Sequence, residues 1–193
     1  GFDIWDQVLA AYLKLVFPKD QINLFVSLAS DDARGNFSDL KAHWDHTLGY
    51  QIGLQKTSNF SSFGISFLAE YLSLKTSNTF NPLFYRGHPN AHSFYTKSDY
   101  DHFTYNSRRM GAHSGTSSDD LVFMISIFNE NHGYVLSYGK ERRGIKSKIY
   151  PERSNEYDFT YYINLSSRKR FFINIEHEAI DNLMFNEGKK SNS

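Results

Sequence analysis

At 193 residues and 40% hydrophobic content, the chain is long enough for one ordinary domain with a sizeable core. Its 21 basic and 21 acidic residues cancel and it has no basic tail, so the cationic surplus of a nucleic-acid-binding protein is missing. The lack of cysteine excludes disulfide frameworks, thiolate zinc sites and cysteine nucleophiles together.

No apolar run reaches the length of a transmembrane helix, and a mean hydropathy of -0.53 resembles that of a soluble protein. Membrane barrels escape that test, because their strands alternate and never build a long apolar window. The 17 Phe and 13 Tyr exceed what a core requires and point to aromatic side chains at surfaces.

Period-two alternation predicts eight strands in four pairs, and no segment fits the helical period better. The first pair covers about 8–17 and 22–31 around Pro18-Lys19-Asp20-Gln21, with Leu9, Ala11, Leu13 and Leu15 on one face and Tyr12 and Lys14 on the other. The second covers about 47–56 and 64–73. Leu48, Tyr50, Ile52 and Leu54 alternate with Gly49, Gln51, Gly53 and Gln55, and Ile65, Phe67, Ala69 and Tyr71 with Ser66 and Glu70. The third covers about 121–128 and 134–143, turning through Asn129-Glu130-Asn131-His132-Gly133, with Leu121, Phe123, Ile125 and Ile127 on one face. The fourth covers about 157–166 and 171–179 around Ser167-Arg168-Lys169-Arg170. Phe159, Tyr161, Ile163 and Leu165 share a face there, and Ile173 and Ile175 alternate with Asn174, Glu176 and Glu178.

Connections within a pair are short, whereas those between pairs run from about 32–46, 74–120 and 144–156. An outer-membrane barrel sorts its connections in this way, with tight periplasmic turns and long extracellular loops. Its lumen would accept Lys14, Gln51, Gln55, Glu70, Asn174, Glu176 and Glu178 as lining residues, while lipid solvates the apolar face. The competing reading is a soluble barrel or sandwich whose core is built from the same apolar faces. The all-β expectation is therefore an antiparallel up-and-down meander, a partial transmembrane barrel of about eight strands.

The segment from Leu74 to Asp120 contains Asn81-Pro82-Leu83-Phe84-Tyr85, then Tyr95, Tyr100, His102 and Tyr105. After these come Arg108-Arg109-Met110-Gly111-Ala112-His113-Ser114-Gly115 and the pair Asp119-Asp120 before a strand. With Asp31-Asp32 closing the second strand and Glu141-Arg142-Arg143-Gly144 ending the sixth, this order resembles the Wzi-type capsule assembly family from about 8 to 182. The resemblance implies an outer-membrane barrel of more than eight strands that binds capsular polysaccharide without catalysis, with other capsule export components as further partners. It also implies that residues 1–193 are a fragment of one barrel domain, without its N-terminal part and closing strand.

Between 75 and 118, Lys75, Arg86, Lys97, Arg108 and Arg109 outnumber Asp99 and Asp101, which favours an anionic partner. Aromatic rings stack on sugar C–H faces and guanidinium groups hydrogen-bond carboxylates. Tyr85, Arg86, Tyr95, Tyr100, His102, Tyr105, Arg108, Arg109 and His113 are accordingly the candidate contacts for an acidic polysaccharide.

The loop histidines lack the spacing of a helical zinc site, and no metal or other cofactor is expected. The acidic pairs suit turn residues bonded to nearby backbone better than a calcium site. Ser114 beside His113 makes no dyad by adjacency, no Gly-x-Ser-x-Gly element occurs, and Gly111 and Gly115 are too sparse to cradle a phosphate. The alternative function is a porin-like channel lined by Lys14, Glu70, Glu141, Arg143, Glu176 and Glu178.

Overall fold

A computed structural model of the chain describes residues 8–31, 48–75, 104–105, 108–109, 117–145, 148–166 and 169–192. They are dominated by strands: β1 Val8–Phe17, β2 Ile22–Asp31, β3 Leu48–Asn59, β4 Gly64–Ser73, β5 Thr104–Tyr105, β6 Arg108–Arg109, β7 Asp119–Phe128, β8 His132–Arg143, β9 Glu152–Ser166, β10 Lys169–Asp181 and β11 Lys190–Asn192. Apart from the β5–β6 hairpin, they form one antiparallel sheet of nine strands in the order β1-β2-β3-β4-β7-β8-β9-β10-β11. The sheet is open, with β1 at one edge and β11 at the other, so the expected up-and-down meander is present. Among the described residues one 3-10 turn, Leu183–Phe185, lies between β10 and β11.

The strands start and stop close to where alternation places them, and several run further at their ends. β9 takes in residues 152–156 and β7 takes in Asp119 and Asp120, all beyond the bounds that alternation predicts. Pairing explains both extensions. Arg153 faces Arg142 and Asp120 faces Glu141 in register, so neighbouring backbone supplies the hydrogen bonds that polar side chains cannot signal. The ninth strand, β11, and the small β5–β6 hairpin were likewise silent in the pattern, being too short to show a period.

The turns at one end are tight. Gln21 N–H donates to the Pro18 carbonyl at 3.3 Å, with Gln21 at φ 53°, and Phe60 N–H donates to the Phe63 carbonyl at 2.8 Å. At the third turn the Asn129 carboxamide oxygen accepts from the backbone N–H of Asn131 (2.8 Å) and His132 (2.7 Å), an Asx turn that a short polar side chain closes by itself. The opposite end carries the longer connections. There Leu74 N–H bonds Ser118 O and Ile145 N–H bonds Ser117 O, which continues the ladders past the strand ends.

Register sorts every strand into two faces. One row runs Leu15, Leu24, Leu54, Ala69, Phe123, Tyr138, Tyr157 and His177, and the next runs Phe17, Ile22, Lys56, Phe67, Ile125, Leu136, Phe159 and Ile175. This apolar face lies open, with Leu9 73%, Leu13 57%, Leu136 59% and Ile175 61% exposed. Among the described residues, Leu74 is the one hydrophobic side chain that is buried. A sandwich would have packed these rows against a second sheet about 10 Å away.

Candidate binding faces

The face opposite the apolar rows is polar. It brings Lys14, Glu70, Glu156 and Glu178 into one register row, Gln55 and Glu176 into a second, and Gln51 and Asn174 into rows on either side. All seven residues expected to line a lumen thus share one face of the sheet. Hydrogen bonds knit it together. Gln51 donates to Glu70 at 2.7 Å, Ser154 to Glu178 at 2.7 Å, Thr160 to Asp158 at 3.2 Å and Asn23 to Gln55 at 3.4 Å. Each acceptor would cost free energy if stripped of water and left unpaired, and here each has a cross-strand or same-strand donor.

Acidic groups dominate this face. Asp120, Glu141 and Glu156 border a cavity of about 300 Å³ with Ser137 and Ser154, and Glu152, Asp158, Glu176 and Glu178 lie in adjoining register positions. The opposing cations are few. Arg143 donates to Glu141 from Nε at 2.7 Å and Nη2 at 2.8 Å and reaches Glu152 through Nη1 at 3.6 Å, while Arg170 lies over the Tyr162 ring at 4.6 Å and donates to Asn164 at 2.8 Å. Among the described residues, no group of three or more His, Asp or Glu side chains is placed to hold a metal ion.

Aromatic rings on the polar face cover glycines on the next strand. Phe25 faces Gly53 and Tyr162 faces Gly133 in register, and a Cβ added at either glycine would clash with a carbon of the facing ring. Phe128 stands over Gly64 in the same way. The missing side chain leaves the space that the ring occupies against the neighbouring strand.

The apolar face changes character toward the long-connection end. Tyr50 and Tyr71 lie 5.9 Å apart, Tyr138 and Tyr157 5.1 Å apart, and the Tyr138 hydroxyl donates to Asn155 at 3.0 Å. Beyond them lies a charged rim on the same face. The Asp119 carboxylate, only 4% exposed, accepts from Arg142 Nε at 2.7 Å and from Arg142 Nη2, and pairs with Lys75 Nζ at 2.6 Å. Burial disfavours the Lys75 ammonium, but the neighbouring Asp119 carboxylate outweighs this and lifts its pKa above the ordinary lysine value. The turn role expected for Asp119 is therefore corrected: it is the first residue of β7, and its side chain joins Lys75, just past the end of β4, to Arg142 on β8. Its parity with Leu121 was readable from the sequence. Its neighbours Lys75 and Arg142 were not, because they depend on which strands pair.

Of the residues expected to contact polysaccharide, Tyr85, Arg86, Tyr95, Tyr100, His102 and His113 lie outside the described residues. Tyr105, Arg108 and Arg109 form the β5–β6 hairpin, with Thr104 opposite Arg109 and Tyr105 opposite Arg108. Its two-residue strands are too short to show a period, so no alternation in the sequence signals this hairpin. Comparison with family models, curated proteins and solved structures yields no match for this chain.

Proposed function

We propose that the chain is part of a non-catalytic bacterial outer-membrane β-barrel whose long connection between β4 and β7 binds an acidic capsular polysaccharide at the cell surface. The observation that carries the membrane reading is the apolar face exposed across eight strands, coupled to a hydrogen-bonded polar face. Lipid solvates such a face, and a closed sheet satisfies its own backbone. The run from Leu9 to Phe17 rises roughly 27 Å along the strand, or ~21 Å along a membrane normal at a tilt of ~40°, close to the ~25 Å apolar band of such barrels.

The polysaccharide reading rests on the basic and aromatic composition of residues 75–118, on the resemblance to the Wzi-type capsule assembly family, and on the pairing that sets Arg108 and Arg109 across from Tyr105 and Thr104. Acidic polymers would meet repulsion along the polar face, so contact is expected at the loop end rather than inside the barrel. The test is binding of refolded full-length protein to purified acidic capsular polysaccharide. Wild type is expected to bind, and Arg108→Ala/Arg109→Ala and Tyr100→Ala/Tyr105→Ala are each expected to weaken binding while the barrel keeps its heat-modifiable migration. Absence of binding by wild type would overturn the reading.

A second reading, a porin-like channel, draws on the same acidic lining. Such a lumen would favour cations over anions. Conductance with no polysaccharide binding would put it first.

A further inference from the structure

The two faces differ in sign as well as in polarity. On the apolar face, at the long-connection end, stand Lys75, Lys140, Arg142, Arg153 and Lys190, with Asp119 and Asp181 as the acidic side chains among them. Both acids are already engaged, Asp119 by Lys75 and Arg142, and Asp181 by Lys190 at 3.3 Å. Arg142 and Arg153 are direct register partners across β8 and β9. Like charges directly opposite on one face of a sheet repel, and their Cβ atoms lie only about 5 Å apart. Lys140 and Arg153 are exposed and make no ion pair among the described residues.

We propose that this rim holds the phosphate groups of an outer-leaflet lipid, with Lys140 and Arg153 as its principal contacts and Arg142 beside them. The proposal rests on the membrane-barrel reading above. Continuity with the apolar face selects the occupant. An amphiphile whose chains cover Leu136, Phe159 and Ile175 places its headgroup past Tyr138 and Tyr157, where the cations stand. A phosphate between Arg142 and Arg153 relieves their repulsion and accepts from two guanidinium forks. A polysaccharide held by the loops alone would have no reason to find its countercharge on the lipid-facing side.

The test reconstitutes the full-length protein into phosphatidylcholine vesicles and measures retention of bisphosphorylated lipid A, dephosphorylated lipid A and inorganic phosphate. Wild type is expected to retain the phosphorylated lipid in preference to the dephosphorylated one, with inorganic phosphate competing weakly. Lys140→Ala/Arg153→Ala is expected to lower that retention about thirtyfold, since each basic residue near an anionic surface contributes roughly fivefold. Lys140→Arg, which keeps the charge and both guanidinium forks, is expected to keep it. Insertion, followed by heat-modifiable migration in the same samples, separates the two failures. Insertion with equal retention of both lipids, or with unchanged retention in the alanine variant, overturns the phosphate site alone. Failure of wild type to insert overturns the barrel reading and this site with it.

Discussion

Asp119 shows how position in a sheet changes what one carboxylate does. Two residues before Leu121, it shares the apolar face, and its 4% exposure leaves it dependent on Lys75 and Arg142 for the interactions that water would otherwise supply. Asp119→Ala leaves two partly solvated cations at the rim without their shared partner and is expected to cost about 1–2 kcal/mol in urea unfolding of the refolded protein. Asp181→Ala removes a pair whose members are 51% and 72% exposed, and is expected to cost less than about 1 kcal/mol in the same measurement. Gly53 is constrained for a different reason. A methyl group there meets the Phe25 ring, so Gly53→Ala is expected to destabilise by about 1–3 kcal/mol. In a double-mutant cycle Phe25→Ala should recover part of that loss, whereas additive effects would show that ring and glycine do not interact.

At the scale of the element, each strand carries two chemistries at once, and neighbouring residues on β7 separate them. Ile125 points to the apolar face, in register with Phe67 and Leu136, and is 46% exposed. Ser126 faces the polar side, opposite Ser66 and Val135. In lipid vesicles Ile125→Arg is expected to destabilise by about 2–4 kcal/mol, because the guanidinium enters hydrocarbon, and Ser126→Arg by far less. Equal, small effects at both positions would mean that the exposed face meets water rather than lipid. The same alternation made the strands legible: Tyr50, Ile52 and Leu54 against Gln51, Gly53 and Gln55 leave no other period. Strand ends were less legible where polar residues continue the ladder, as at Glu152–Glu156, because pairing across the sheet rather than side-chain chemistry extends them.

Across the whole molecule the sheet separates charge, with acids concentrated on the polar face and cations at the loop-end rim of the apolar face. A conducting barrel with this lining is expected to prefer cations in planar bilayers, and Glu70→Gln/Glu176→Gln/Glu178→Gln should reduce the cation-to-anion permeability ratio by about twofold or more. At ~1 M salt, where the screening length is ~3 Å, the difference between wild type and variant should shrink; an unchanged ratio at low salt would show that these carboxylates do not face the conduction path. The sequence by itself determined the all-β class, the paired meander, the two faces of each strand and the alternation of short and long connections, because these follow from a side-chain period of two and from turn chemistry. Only the tertiary structure decided which side chains meet. Register brings Arg142 opposite Arg153, sets Lys75 beside Asp119, lays Phe25 over Gly53 and gathers Glu70, Glu156 and Glu178 into one row. Those partners lie on different strands, and a local pattern gives the face of a residue but not the alignment of one strand against the next.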